Sequence, residues 1–178
     1  MKLMETAARH PRAPELEGMS LEEIASKYVA RFRDIEQDWD AFADARIDGY
    51  RRAQHRFIGA GGSGKSVDQT VIPPRGFTLS VMYVAPGQGN AAHTHEVEEV
   101  FFVLDGLLTV FLEDEAGKRV SIRLGKWEGI SCPAGVIHGY ENMSLAPVYF
   151  QVMLGRGRPE TMGYKDAALF ADRDVHLR

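Results

Sequence analysis

The sequence predicts an all-β sandwich or barrel preceded by an α-helical extension. Between residues 77 and 155, short segments either alternate apolar and polar residues or are continuously apolar, and turn-forming residues separate them. Short strands at such spacing are typical of β-sandwiches and β-barrels. Before them, apolar residues recur every three or four positions, which is the period of an α-helix. A chain of 178 residues suits one domain with an appendage.

The N-terminal part is predicted to be a flexible arm over residues 1–19 followed by a helical extension over residues 20–58. Pro11, Pro14 and Gly18 interrupt the arm, whereas Ser20 and Glu23 form a capping-box pattern that begins a helix. The apolar stripe that follows consists of Leu21, Ile24, Tyr28, Phe32, Ile35, Trp39 and Phe42. We expect this stripe to pack on the barrel or on a second subunit. The alternative is that the helix forms a lid over a functional site of the barrel.

Residues 59–76 are predicted to be a glycine- and proline-rich linker. The segment from Gly59 to Ser66 satisfies the pattern of a phosphate-binding loop, which needs a strand before it and a helix opening at its Lys-Ser pair. The following residues are β-branched and end in Pro73-Pro74, so no useful helix can begin there. We therefore do not expect nucleotide binding.

The predicted barrel occupies residues 77–155. Its strands include an alternating segment from Phe77 to Tyr83, the apolar runs 100–104 and 107–112, a hairpin turn at Asp114 to Gly117, and a last strand over 147–154. Residues 156–178 form a tail with a short helix expected around Asp166 to Ala171. Packing or subunit contact is its expected role.

Three histidines and one glutamate have spacings that a single metal ion could use. His93 and His95 are two residues apart, so in an extended strand their side chains project to the same side. Glu99 lies at the beginning of a buried apolar strand. An unpaired carboxylate there would destabilise the fold, and a divalent cation would balance its charge. His138 follows the Pro133-Ala134-Gly135 turn and brings a third imidazole from a separate part of the chain.

These two blocks resemble the paired motifs of the cupin superfamily of small β-barrels. The first motif is matched at Gly87, His93, His95, Glu99 and Gly106, and the second at Pro133, Gly135, His138 and Asn142. The glycine usually found six residues before the proline is Trp127 here. The resemblance covers roughly residues 77 to 155. It implies a double-stranded β-helix, or jelly roll, with His93, His95, Glu99 and His138 as the metal ligands.

Such a donor set suits one divalent transition-metal ion, namely Fe, Mn, Ni, Co, Cu or Zn. Four protein ligands leave an octahedral ion two positions for water, substrate or dioxygen, which is typical of a catalytic site. The base rates of the family favour a dioxygenase-type oxidoreductase acting on a small apolar carbonyl, enol or aromatic compound. Lewis-acid chemistry, such as isomerisation, decarboxylation or elimination, and a non-enzymatic ligand-binding module are the alternatives.

Strand parity also predicts the wall of the pocket. If Glu99 faces the ion, Phe101 and Val103 lie on the same inner face, and His138 brings Val136 and Tyr140 inward. Tyr140 is the candidate catalytic proton donor, although a core tyrosine bonded to a carbonyl fits equally well. Gln151 points either inward beside the ion or outward, and we count it as a pocket residue. No inward arginine or lysine is evident, which disfavours strongly anionic substrates.

Composition restricts the partners and the compartment. The net charge is −4 and no long basic run occurs, so neither nucleic acid nor membrane is expected as a partner. The single Cys132 cannot form an intrachain disulfide, and Met1 to Glu5 lack the apolar stretch of a signal peptide, so we expect a cytoplasmic protein. The apolar stripe and the barrel edges need cover, so a homodimer is expected.

Overall fold

The structure, a computed structural model, describes residues 10–177 and consists mainly of two antiparallel β-sheets. The strands are β1 (Arg52–Ile58), β2 (Thr78–Val84), β3 (His93–Thr94), β4 (Glu99–Asp105), β5 (Leu108–Glu113), β6 (Arg119–Leu124), β7 (Gly129–Cys132), β8 (Ile137–Glu141), β9 (Val148–Leu154) and β10 (Gly163–Tyr164). The first sheet has the order β1-β2-β9-β4-β7 and the second the order β10-β3-β8-β5-β6. The predicted all-β fold is confirmed.

The hydrophobic core lies between the two sheets. Phe101 on β4 and Phe150 on β9 belong to the first sheet, and Tyr140 on β8 belongs to the second. Their rings meet edge to face, with centroids 4.8 to 5.6 Å apart. All three side chains are buried, so these aromatic contacts hold the sheets together beneath the predicted metal ligands.

The predicted N-terminal helix is much shorter than the apolar stripe suggested. Helix α1 (Leu21–Lys27) begins with the expected capping box, in which Ser20 and Glu23 bond to each other's backbone N–H groups. It ends at Lys27 because the aromatic and β-branched residues that follow are poor helix formers and gain more from contact with the sheet. Phe32 stacks on His55 at 4.5 Å, and Trp39 contacts Tyr83 at 5.8 Å. Phe32 and Trp39 therefore cover the outer face of the first sheet in an irregular chain, whereas Phe42 is buried in the core and lines the cavity of the predicted metal site.

Residues 52–58, which were assigned to the helical extension, form strand β1. This strand pairs antiparallel with β2 along its whole length and extends the first sheet. Its inward side chains include Arg52 and Gln54, both buried, so it lacks the alternation of apolar and polar residues that identifies a strand in a sequence. The prediction of a helical extension is wrong here because polar residues occupy the inner face of β1.

The predicted linker also differs from the structure in its first part. Gly61 to Ser63 form a short 3-10 turn and are buried rather than exposed. Residues 64–76 contain no helix, so the segment lacks the helix N-terminus that a phosphate-binding loop requires. Ile72 pairs with Ile58 in an isolated bridge, which returns the chain to the sheet before β2 begins.

Both chain ends are attached to the sheets where they are described. Residues 1–9 of the predicted arm lie outside the described residues, and Glu15 in the remainder forms a 2.7 Å ion pair with Arg75. The short helix predicted in the tail is helix α2 (Ala167–Ala171). The Asp166 side chain caps its N-terminus. No helix among residues 10–177 is long and apolar enough to cross a membrane. The compartment and the homodimer stay predictions.

Trp127 occupies a turn position that normally requires glycine. Its φ angle is 69° in the turn between β6 and β7, and the side chain is 66% exposed. The backbone N–H donates to the Val103 carbonyl at 2.9 Å, which fixes the conformation, and the ring contacts only the Phe102 ring among the aromatic side chains described, at 6.2 Å. The left-handed conformation is unfavourable for a residue with a Cβ.

Replacing Trp127 by glycine should therefore stabilise the fold. We expect the free energy of unfolding in urea to rise by about 1 kcal/mol, because glycine adopts positive φ without steric penalty. Trp127→Ala is the matched control, since it removes the same ring but keeps the strain. A glycine variant no more stable than the alanine variant would contradict this account of the turn.

Candidate metal centre

The four predicted ligands come together from both sheets. His93 lies on β3 and faces His138 on β8 in the register of the second sheet, and His95 follows β3 directly. Glu99 begins β4 in the first sheet and points across the gap between the sheets. All four side chains are buried. Strand alternation places His93 and His95 on one side of the chain, as the sequence predicted.

The donor atoms of these residues are close enough to share one ion. One ligand atom from each residue lies within 4.8 Å of the corresponding atoms of the others. The Glu99 carboxylate lies 2.8 Å from Nε2 of His138 and 3.5 Å from Nε2 of both His93 and His95. A carboxylate surrounded by three imidazole nitrogens at such distances is a donor set that transition-metal ions prefer.

The cluster holds an ionised carboxylate at its centre, which a cation would neutralise. Burial favours a protonated Glu99, but the His95 charge and hydrogen bonds from the imidazoles outweigh it and hold the pKa of Glu99 well below its usual range. Burial lowers the pKa of His93 to about 4, so that this imidazole is neutral near pH 7. Burial also opposes the charged form of His138, yet the adjacent Glu99 carboxylate raises the pKa of His138 overall.

Backbone contacts direct the imidazole nitrogens inward. Nδ1 of His93 donates to the Ala91 carbonyl at 3.0 Å, and Nδ1 of His138 donates to the Val136 carbonyl at 2.7 Å. Nε2 of His138 donates to the Glu99 carboxylate at 2.8 Å, and with Nδ1 protonated the loss of that Nε2 proton frees a lone pair that faces the centre, as metal-binding histidines require. The residues present therefore fit a metal ion. Nδ1 of His95 is buried without a partner.

A small cavity adjoins the ligands. Its volume is about 20 Å³, which is room for one water molecule. Besides His93, His95 and Glu99, its wall includes Arg52, Gln54, Ser80, Asn90, Tyr140 and the glycines Gly61 and Gly62. Phe42, Met82, Val152 and Met162 complete the wall, so its surface is largely apolar, and β1 adds its inward polar side chains.

Three predicted pocket residues lie where strand parity placed them. Tyr140 lines the cavity, and burial raises the pKa of its phenol, so the hydroxyl stays protonated. Phe101 and Val103 are fully buried on the inner face of β4. They belong to the core below the cavity rather than to its wall, and Phe101 approaches the His138 ring with a centroid distance of 6.0 Å.

The other two predicted pocket residues do not line the cavity. Val136 is half-buried and contributes its carbonyl group, which orients His138. Gln151 pairs with Val81 and Phe102, and it lies on the outer face of β9 because Phe150 and Leu154 occupy the inner face. The side-chain period of two places Gln151 away from the site, so its inclusion in the pocket was wrong.

Arg52 and Asp44 form a buried ion pair beside the cavity that the sequence analysis missed. Arg52 Nη2 donates to Asp44 at 2.8 Å, and both side chains are at most 1% exposed. Asp44 also accepts from the Ala91 N–H at 2.9 Å and from the Tyr164 hydroxyl at 3.0 Å. The expectation of no inward arginine is therefore wrong. No sequence signal marked Arg52, because its segment was assigned to a helix.

Comparisons with known proteins agree with the fold. Residues 80–154 match the family model described as a cupin domain. A curated relative, the probable germin-like protein subfamily 2 member 5 of Arabidopsis thaliana, is 34% identical over 73 residues, which cover 40% of this chain and 34% of that protein. The chain therefore matches about a third of the length of this relative.

Two solved structures share the architecture. The polyketide cyclase RemF from Streptomyces resistomycificus superposes with a TM-score of 0.59 at 19% identity, over 80% of this chain and 89% of that chain. A structure of oxalate oxidase superposes with a TM-score of 0.58 at 18% identity, over 91% and 75% of the two chains. At these identities the similarity concerns the fold alone. Residues 80–154 therefore carry a cupin domain by sequence, and the two structures agree with it in fold.

Proposed function

We propose that this chain is a metal-dependent enzyme of the dioxygenase type that acts on a small carbonyl, enol or aromatic compound. The observation that carries the proposal is the convergence of His93, His95, Glu99 and His138 on one point at the edge of a narrow cavity. Fe, Mn, Ni, Co, Cu and Zn all suit three imidazoles and one carboxylate. When bound, such an ion supplies open positions at which oxygen-bearing molecules are polarised or activated.

The protein supplies a narrow cavity whose largely apolar wall carries a few polar groups. Arg52 and Gln54 line the cavity, and both carry a buried polar atom without a partner, namely Nε of Arg52 and Oε1 of Gln54. Buried polar groups are rarely left unpaired, so a hydroxyl or carbonyl group of the substrate is a suitable partner for them. We therefore extend the predicted apolar substrate to one that carries at least one polar oxygen group.

The relatives leave the reaction open. The two fold neighbours are an oxidase and a cyclase, and a shared fold does not determine chemistry. The match to the germin-like protein covers about a third of that protein, so the activity of the whole relative is not assigned to this chain. The dioxygenase assignment rests on the site and on the frequency of this chemistry in similar barrels.

Lewis-acid chemistry without dioxygen is the second candidate. It is favoured by Tyr140, which lines the cavity and whose pKa burial raises. A phenol held protonated beside the ligands is suited to donate a hydrogen bond or a proton to a substrate oxygen, which isomerisation, decarboxylation and elimination require. Tyr140→Phe removes this group without a change of shape, and it should abolish such a reaction while leaving oxygen uptake by a dioxygenase less affected.

Oxygen uptake separates the candidates. The protein loaded with Fe(II), and in parallel with Mn(II), is mixed with a panel of small diketones and catechols in an oxygen electrode. Substrate-dependent uptake that is lost in His138→Ala is expected. Product formation under nitrogen without uptake would replace the proposal by Lewis-acid chemistry. Binding of a panel member without turnover under either gas would identify a ligand-binding module.

A further inference from the structure

The glycine-rich loop, residues 59–64, forms one wall of the cavity beside the metal ligands. Gly61, Gly62 and Ser63 are buried. A Cβ added at Gly62 would lie 3.0 Å from Cε1 of His95, so the backbone of the loop touches the edge of this ligand. No larger side chain fits between the loop and the imidazole without a shift of one of them.

The cavity is too small for any substrate in the conformation described. About 20 Å³ holds one water molecule, whereas a diketone or a catechol has several heavy atoms. A part of the wall must therefore move to admit a substrate. The strands that carry Arg52, Ser80, Glu99 and Tyr140 are fixed by sheet hydrogen bonds on at least one side. The parts of the wall outside the sheets are the glycine-rich loop and the segments that carry Phe42, Asn90 and Met162.

The loop has the features of a movable segment. Gly59 and Gly64 flank it with φ angles of 65° and 66°, and glycine moves between left-handed and other conformations without steric penalty. The Gly59 N–H donates to the Ile72 carbonyl at 3.0 Å, and the inner side of the loop accepts a side-chain hydrogen bond from Gln54 Nε2 to the Ala60 carbonyl at 3.2 Å. Lys65 forms a 3.0 Å ion pair with Asp38 just beyond the loop, which anchors that end of it.

The C-terminal tail holds the outer side of the loop. Nε2 of His176 donates to the Ser63 carbonyl at 2.6 Å, and the imidazole is buried. The tail itself is fixed by a hydrogen bond of 2.8 Å from Thr161 to Asp174. On its outer side, therefore, the loop is fastened over the metal ligands by a side chain 113 positions away in the sequence.

We propose that the glycine-rich loop is a lid that opens to admit ligands to the metal centre, and that His176 is its latch. The lid goes beyond the proposed reaction, since any chemistry at this site needs access. It also accounts for the glycines of the apparent phosphate-binding pattern. Gly62 allows the loop to lie against His95, and Gly59 and Gly64 allow the loop to move, so no phosphate is needed to explain them.

Extraction of zinc by a chelator tests the lid. The protein is loaded with Zn(II), its zinc content is measured, and an excess of pyridylazoresorcinol then reports release by absorbance. His176→Ala should accelerate release about tenfold, since one buried hydrogen bond no longer opposes opening. His176→Gln, which can donate to the same carbonyl, should release zinc at nearly the parent rate. A fully loaded, folded His176→Ala protein with the parent rate would overturn the proposal.

Two glycine variants provide a matched pair. Gly62→Ala places a Cβ against His95 and should prevent the lid from seating, so that release is faster. Gly76→Ala is the control, because a Cβ there meets no atom within 4 Å. If the parent chain bound no zinc, the metal site and not the lid would be in question, and hydrogen exchange of residues 59–64 would decide. Unchanged exchange in His176→Ala would then overturn the lid.

Discussion

The double substitution His93→Ala, His95→Ala should leave the protein without a bound transition-metal ion. It removes two of the three imidazoles of the cluster, and the Nε2 atoms of these two lie 3.5 Å from the Glu99 carboxylate. Among the described residues, no other group within reach replaces them. Loss of a group that merely orients a ligand lowers metal affinity roughly 10–100-fold, so loss of two ligands should lower it more. Elemental analysis after dialysis measures the result.

A second variant separates loss of metal from loss of fold. Removal of two imidazoles also exposes the buried Glu99 carboxylate to an apolar environment, which destabilises the protein. Glu99→Gln keeps the shape and removes the charge, and it should lose the ion while remaining folded by circular dichroism. His10→Ala, at an exposed position, is the control. Stoichiometric metal in the double variant would show that the ligands lie elsewhere.

The second large effect is expected at the buried pair of Arg52 and Asp44. Asp44→Ala should lower the free energy of unfolding by about 3–5 kcal/mol, because the guanidinium of Arg52 would remain buried without its counter-charge. Asp40→Ala is the matched control. Asp40 also pairs with an arginine, Arg46, but both side chains are about half exposed, so its loss should change stability by less than about 1 kcal/mol.

The double variant Arg52→Met, Asp44→Ala distinguishes an ion pair from simple packing. With both charges removed, much of the lost stability should return, since an apolar replacement of a buried pair is often neutral. Urea unfolding of the two single variants and the double variant measures the coupling between the side chains. Additive losses in the double variant would contradict the proposed pairing.

Asp44 should also make the stability of the fold depend on pH. Burial disfavours its charged form, but the Arg52 charge and three hydrogen bonds outweigh burial and hold the pKa of Asp44 below its usual 3.8. Because the folded pKa is the lower one, the ionised carboxylate stabilises the fold above pH 3.8 and this contribution is lost as the pH falls through the folded pKa. Asp44→Asn should remove this part of the acid dependence.

The metal ligands were predictable because their signal is local. Two histidines at alternate positions of a strand share a face whatever the rest of the chain does, and Glu99 was placed by the apolar strand that it begins. Strands β2, β4, β5 and β9 were predictable for the same reason, since alternation, apolar runs and turn residues are encoded within short segments. The capping box predicted where helix α1 begins, but nothing in the sequence predicted where it ends.

The features that escaped prediction depend on contacts distant in the sequence. Strand β1 carries polar residues on its inner face because they line the cavity and pair with one another, so its pattern did not resemble a strand. Asp44 and Arg52 are partners only once β1 joins the sheet. The glycine-rich loop resembled a linker because its burial depends on His95 and on His176, which lie 33 and more than 100 residues away.

Anomalous diffraction from crystals of the metal-loaded protein tests whether His93, His95, Glu99 and His138 bind the ion. Data collected on either side of the absorption edge of the loaded metal locate the ion independently of any assumption about its ligands. We predict one anomalous peak per chain, in contact with Nε2 of His93, His95 and His138 and with the carboxylate of Glu99. A peak at other residues, or none in a protein that retains its metal, would contradict the assignment of this site.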